Sequence, residues 1–275
     1  MEGLTAETNT AARIFKPEHS FLENTISSME AAFAAGADIV EFDLHPTKDG
    51  QFAVFHDWTL EYRTEGKGVT REHTLAELKA LDVGYGYTAD QSQTFPFRGK
   101  GKGLMPSLDE VLQRFPDKSF LIHVKSNDPL EGNQLAAFLG KLPKAQLNQI
   151  WVYGGDRPIA CLQQQLSSVR ALSKATMKQA LIPYVLLGWT GYVPVALKNS
   201  LCFLPLRYAR FMWGWPHVFL KRLADAGTPF VVIAGDGPWS SGFDTAEDLK
   251  ELPENFTGGV WTNRIDRIAP LIKGK

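Results

Sequence analysis

Three side chains able to bind a cation or move a proton stand at alternate positions in the run VEFDLHP: Glu41, Asp43 and His45. Successive side chains of an extended strand point to opposite faces, so these three share one face while Val40, Phe42 and Leu44 share the other. Two carboxylates on one face of a buried strand repel each other and lose hydration, and they stay charged only beside a cation, a Lys or an Arg. A hard divalent ion meets that need, because carboxylate oxygens suit Mg²⁺ or Ca²⁺. The polar face of a solvated edge strand would show the same spacing.

Two further histidines lie at the ends of apolar runs. AVFHDW closes on His56–Asp57, and an imidazole at a strand end can exchange a proton near neutral pH. FLIHVK sets His123 and Lys125 on one face of another run, a second candidate metal ligand and a candidate partner for phosphate. A histidine alone is more often structural; one beside a carboxylate pair is a stronger candidate for chemistry. His73 and His217 have no such company and read as surface or structural residues.

The elements that must position these groups are legible as short apolar runs: residues 39–44, 52–55, 120–124, 150–153, 169–172, 200–204, 230–234 and 259–262. Amphipathic helical stretches separate many of them, at 25–35, 107–115, 134–142, 158–166, 217–226 and 246–252, with Ser107 and Thr245 placed to cap two of these helices. Strands alternating with helices imply a parallel sheet, and about eight units suggest an α/β fold closed as a single (β/α)8 barrel of the TIM type. The turn PTKDG, with Asp49–Gly50 at its tip, instead predicts an antiparallel hairpin between the first two runs. Residues 59–106 are polar and rich in glycine, and they read as an insertion over one mouth of the barrel. Their glycines do not form the GxxxxGK[ST] arrangement of a phosphate-binding loop.

At 275 residues, 44% hydrophobic and 21% charged, the chain suits one such domain over residues 1–275. Its 29 basic and 30 acidic side chains nearly cancel, which gives no case for a nucleic-acid partner. Cys161 and Cys202 lack any metal-type spacing and read as free thiols. MEGLTAETNTAARIFKPEHSF contains no apolar run of signal-peptide length, so cytoplasmic residence is the expectation. The most apolar zone, 180–220, is broken by Pro183, Pro194, Pro205, Lys198, Arg207 and Arg210, short of the roughly 20 residues that span a bilayer. Its Trp, Tyr and Phe residues beside Arg207, Arg210, Lys221 and Arg222 read first as barrel core and helix packing, and second as peripheral contact with lipid.

Taken in order, ENT (23–25), GADIVEFDLHPTKDG (36–50), FHDWTL (55–60), GKGVT (66–70), MPSLDEVL (105–112), Val124–Lys125 and TNR (262–264) resemble the glycerophosphodiester phosphodiesterase family. The match is dense over 23–125 and sparse beyond. The resemblance implies a TIM-type barrel with a small insertion after the second strand. It also implies metal-dependent hydrolysis of glycerophosphodiesters or lysophospholipid-like substrates to an alcohol and a glycerol phosphate-type product. It makes Glu41 and Asp43 metal ligands and His56 a general acid/base, with Glu23 framing the metal or substrate and Lys125 contacting phosphate.

The chain departs from the family pattern at two places. The His–Arg pair that precedes ENT in the family, whose histidine is the second acid/base, is missing; Gly3-Leu4-Thr5-Ala6 lies near its place, and His19 stands only four residues before Glu23. His123 occupies the place of a third carboxylate ligand. An imidazole can still ligate, and it makes the site more tolerant of Mn²⁺ or Zn²⁺ beside Mg²⁺ and Ca²⁺. Two alternatives follow: a weakened member that binds a phosphodiester or lipid headgroup without turnover, and a barrel glycosidase. Two carboxylates on one strand are poorly placed to flank a glycosidic bond.

Overall fold

A computed structural model describes residues 8–235 and 241–273. In chain order its elements are α1 (Ile26–Ala34), β1 (Ile39–Pro46), β2 (Phe52–Val54), α2 (Leu75–Lys79), α3 (Leu108–Arg114), β3 (Ser119–Val124), α4 (Pro129–Leu139), α5 (Lys144–Leu147), β4 (Ile150–Gly154), α6 (Asp156–Gln165), β5 (Arg170–Ser173), α7 (Lys174–Leu187), β6 (Cys202–Pro205), α8 (Leu206–Ala209), α9 (His217–Asp225), β7 (Phe230–Ile233), β8 (Gly259–Val260) and α10 (Ile265–Lys273).

The strands form a TIM-type α/β arrangement in two hydrogen-bonded groups, ordered β2-β1-β3-β4-β5 and β6-β7-β8. All neighbours are parallel except β1 and β2, which pair antiparallel from Leu44↔Val54 to Pro46↔Phe52. The hairpin turns at Gly50, whose φ of +74° a side chain would resist. The eight expected βα units are therefore seven parallel strands and one antiparallel companion. Among the described residues no ladder joins β5 to β6 or β8 to β1.

Local chemistry sets the helix ends. Ser107 and Glu110 form a reciprocal capping box at the start of α3, as Thr25 and Ser28 do for α1. The helix expected over 134–142 instead begins at Pro129, because the Asp128 carboxylate accepts from the Leu130 N–H and proline suits the first helical turn. The stretch 246–252 contains only a 3-10 turn, Asp248–Glu251, where Thr245 Oγ1 accepts from the Asp248 N–H. The sequence reading passed over α7, which runs through Pro183.

Alternation along the strands divides the core. Phe42, Leu44, Phe120, Ile122, Ile150 and Val152 face outward against the helices, where Phe33, Phe42, Phe115 and Phe120 meet at centroid distances of 5.4–6.0 Å. Leu121, Trp151 and Leu172 face the other way, toward Leu204 and Val232. Burying each such side chain contributes about 1.5–3 kcal/mol. Residues 59–106 add a third cluster around Leu60, Leu78, Val83, Phe97 and Met105. There the Asp82 carboxylate accepts from the Gly84, Gly99 and Gly101 amides, and a Cβ on Gly101 would lie 2.3 Å from the Gly84 nitrogen. These glycines hold a carboxylate and let two backbones meet.

Helix α4 buries one acid, Glu131, which accepts a hydrogen bond from Ser126 Oγ and whose Oε1 has no partner. Burial pushes its carboxyl up to about 7 from a usual value of 4.5. The folded chain therefore binds more protons between these values, and the stability associated with the neutral acid is full below pH 4.5 and lost as pH rises through about 7. Glu131→Gln is expected to raise the urea midpoint at pH 8, by up to about 3 kcal/mol of stability, and to leave it unchanged at pH 4. An equal gain at both pH values would contradict a neutral Glu131.

Candidate functional site

The parallel register of β1, β3 and β4 builds the centre of the site. Asp43 is aligned with His123, and His123 with Tyr153, so three polar side chains stand abreast on the inner face. His123 Nδ1 lies 2.9 Å from Asp43 Oδ1 and 3.9 Å from Glu41 Oε1. The Tyr153 phenol donates to Glu41 Oε1 at 2.8 Å, and its ring stacks on His123 with centroids 4.2 Å apart. Lys125, two residues beyond His123, brings its Nζ to 3.2 Å from Asp43 Oδ1. Asn24 clamps the same residue from the loop before α1: its Nδ2 donates to Asp43 Oδ2 and its Oδ1 accepts from the Asp43 N–H.

These contacts separate the two carboxylates electrostatically. Burial opposes charge on Asp43, but the hydrogen bond from His123 and the positive charge of Lys125 overturn that and hold its carboxyl below the usual range. Burial, reinforced by the charge of Asp43, pushes the Glu41 carboxyl up against the opposing hydrogen bond from Tyr153. Burial also lowers His123, which favours the neutral imidazole that ligation requires. Glu41, Asp43 and His123 each offer a ligand atom, all within 4.8 Å of one another. Two hard oxygens and one borderline nitrogen fit a divalent ion, and a cation here would relieve the burial that burdens Glu41. His45 shares their face but stands apart, fully buried against Trp58, with burial lowering its imidazole to about 4.

Beside this cluster lies a second network. His56 Nδ1 is 2.6 Å from Asp57 Oδ1, an arrangement that puts the ring proton on Nδ1 and leaves Nε2 for exchange. Asp57 is buried and accepts from Arg63 Nη1. Arg63 is itself buried, and its Nε donates to Glu23 Oε1 at 2.9 Å while Nη2 reaches Thr10 Oγ1 at 2.8 Å. The Tyr87 phenol donates to the same Glu23 oxygen at 2.5 Å. Loss of hydration works against charge on buried Asp57 and also on Glu23, whose side chain remains 42% exposed, and the Arg63 guanidinium helps hold both below their usual values.

The structure thus gathers Glu41, Asp43, His123 and Lys125 into one cluster and His56 and Glu23 into the next. Lys125 is paired with Asp43 and Glu23 with Arg63. His19 is exposed, its ring 5.7 Å from that of Phe21. Gly3-Leu4-Thr5-Ala6 lies outside the described residues. Sequence reasoning missed Asn24, Asp57, Arg63, Tyr87 and Tyr153. The first two stand inside motifs already singled out, each beside a named residue. Arg63, Tyr87 and Tyr153 join the site only through tertiary contact, and no local pattern marks them.

A cavity of about 640 Å³ opens beside the cluster, lined by Glu23, Asn24, Glu41, Phe203 and Trp261 among others. A larger one of about 740 Å³ lies at the β5–β6 seam around Arg170, and none of the predicted site residues lines it.

The arrangement is an α/β fold of TIM type that carries a candidate cation cluster on the inner face of its strands, flanked by a histidine–carboxylate pair. The chain belongs to the glycerophosphoryl diester phosphodiesterase family, whose sequence pattern matches residues 17–195. It is 40% identical over 114 residues to a glycerophosphodiester phosphodiesterase of Bacillus subtilis (strain 168), a match covering 40% of this chain and only 38% of that relative's length. A lysophospholipase D of Rattus norvegicus is 26% identical over 222 residues, covering 78% of this chain and 65% of the relative. The solved glycerophosphodiester phosphodiesterase of Agrobacterium tumefaciens shares the fold at a TM-score of 0.61 and 21% identity, covering 89% of this chain and 91% of that one. So does an Oleispira antarctica phosphodiesterase solved with the product sn-glycerol-3-phosphate, at a TM-score of 0.57 and 18% identity, covering 91% of each chain.

Arg63 is the shared cation of a buried Asp57 and a half-exposed Glu23, so its removal leaves the Asp57 carboxylate without that cation in a buried place. Arg63→Ala is expected to cost about 3–5 kcal/mol of stability, read from the denaturant midpoint. A loss below about 1 kcal/mol would show that the network does not support the fold.

Proposed function

We propose that the chain hydrolyses the phosphodiester of glycerophosphodiesters or lysophospholipid-like substrates, releasing an alcohol and a glycerol phosphate-type product. The observation that carries this reading is the cluster of Glu41, Asp43 and His123 beside the His56–Asp57 pair, within a chain of this family. In it, Glu41, Asp43 and His123 would hold a divalent ion. When bound, that ion would polarise a phosphoryl oxygen and offset its developing charge. Asp57 holds the His56 ring proton on Nδ1, so Nε2 is free to take a proton from the water whose oxygen bonds to phosphorus and to pass it to the alkoxide oxygen as the P–O bond to that oxygen breaks. Lys125 supplies positive charge toward phosphate, and Glu23, held by Arg63 and Tyr87, bounds the substrate. Asn24 and Tyr153 position Asp43 and Glu41 respectively.

Residues 1–275 form one catalytic domain in this reading, with 59–106 as an insertion that sends Arg63 and Tyr87 into the site. The free thiols Cys161 and Cys202 accord with a cytoplasmic setting. No helix among the described residues is long and apolar enough to cross a membrane.

A second reading rests on the missing His–Arg pair: a member that binds a phosphodiester without turning it over. One experiment separates the two. Purified chain is given glycerophosphocholine, and separately lysophosphatidylcholine, with Mg²⁺, Ca²⁺ or Mn²⁺, and choline or alcohol release is measured. Turnover that depends on the ion and falls at least about 100-fold in His56→Ala supports hydrolysis. Calorimetric binding of glycerophosphocholine without release supports the second reading. The His123 nitrogen predicts that Mn²⁺ serves at least as well as Ca²⁺, and a response to Ca²⁺ alone would contradict that ligand assignment.

A further inference from the structure

The apolar zone beyond β5 presents an unusual surface. Helix α7 ends with Leu186 65% exposed, the following turn carries Trp189 at 67%, and the segment after α8 carries Phe211 at 76%. The segments that carry them are packed together. The Trp213 indole N–H donates to the Val185 carbonyl at 2.6 Å, the Tyr184 phenol donates to the Trp213 carbonyl at 3.0 Å, and Arg222 donates to the Gly188 carbonyl at 2.6 Å. Isolated exposed hydrophobic residues need no explanation, but a contiguous patch rich in aromatic rings does.

Charge says what would cover it. Between Asp156 and Asp225 the sequence contains nine Lys and Arg and not one Asp or Glu, which leaves 20 basic and 30 acidic residues for the rest of the chain. A nearly neutral protein is thus divided into a basic, aromatic part and an acidic remainder. Arg207 and Arg210 are exposed in the segment that leads to Phe211, and no ion pair among the described residues involves either; Lys221, by contrast, is paired with Asp225. Arg207 donates to the Tyr208 phenol oxygen and Arg210 to the Glu251 carbonyl, so both keep their charge without a carboxylate partner, and exposed Trp, Tyr and Phe among such arginines suit a boundary where rings enter the headgroup layer and cations meet anionic lipid.

The chain also links this face to the candidate site. Tyr153, which donates to Glu41, meets the Phe203 ring of β6 at 5.7 Å, and the chain leaves β6 two residues later into α8 and the Phe211 segment.

We propose that this face, formed by the end of α7 and by residues 207–218, docks the protein on an anionic lipid surface. The proposal deepens the reading of a lipid-derived phosphodiester substrate and rests on it for its purpose, while its test needs no turnover. Purified full chain is sedimented with vesicles of phosphatidylcholine alone and of phosphatidylcholine with about one third phosphatidylglycerol. Binding should be at least about tenfold tighter to the anionic vesicles and should weaken as salt is raised. The double variant Trp189→Ala/Phe211→Ala should lose binding to both compositions, and Arg207→Glu/Arg210→Glu should lose the preference for anionic lipid. All four side chains are exposed, so an unchanged thermal midpoint is expected and shows that the fold is intact. No vesicle binding, equal binding to both compositions, or wild-type binding by the first variant would overturn the proposal. So would a dimer in solution that Trp189→Ala/Phe211→Ala dissociates, because a second copy would then cover the face.

Discussion

The site depends first on the register of three parallel strands. With Asp43, His123 and Tyr153 in line across β1, β3 and β4, a carboxylate, an imidazole and a phenol reach one level of the inner face without any long loop to carry them. Slipping one strand by a single residue would exchange its inner and outer side chains, burying polar groups among Phe42, Ile122 and Val152 and turning hydrophobic ones inward. The hydrophobic packing outside the sheet therefore enforces the polar geometry inside it, and the stacked Tyr153 and His123 rings brace that geometry directly.

Electrostatic division follows from this packing. Glu41 and Asp43 lie two residues apart on one strand, yet their surroundings push them in opposite directions. Asp43 is held by His123, Lys125 and Asn24, whereas the hydrogen bond that favours charge on Glu41 comes from a neutral phenol. A cation at the cluster would thus change Glu41 most. Histidine in place of a third carboxylate also spares the site a further negative charge, so the cluster needs less compensation than a three-acid site would.

Arg63 connects the barrel to the segment that follows its hairpin. A guanidinium can serve two carboxylates at once through its several N–H groups, and here Asp57 and Glu23 use that capacity from different parts of the chain. Residues 59–106 are consequently anchored on the site by charge as well as by the cluster around Leu60 and Phe97. The glycines of that segment, which look in sequence like material for a loose loop, close it around Asp82.

Much of the fold was legible because it obeys short-range rules. The strand positions, the Asp49–Gly50 hairpin and the Ser107 cap are local consequences of side-chain type, as is the common face of Glu41, Asp43 and His45. The α4 start was misplaced because Asp128 and Pro129 act before the amphipathic pattern begins. Helix α7 was missed because it is apolar around much of its circumference and contains a proline, so periodicity carried little signal. Candidate chemistry could be named from sequence, since carboxylates and imidazoles are rare in buried runs. Only the tertiary structure decided which of them meet. His123 joins Asp43 across 80 positions, Tyr153 reaches Glu41 across 112 and Arg63 reaches Glu23 across 40, distances over which no local pattern acts and only strand register and core packing choose the partner.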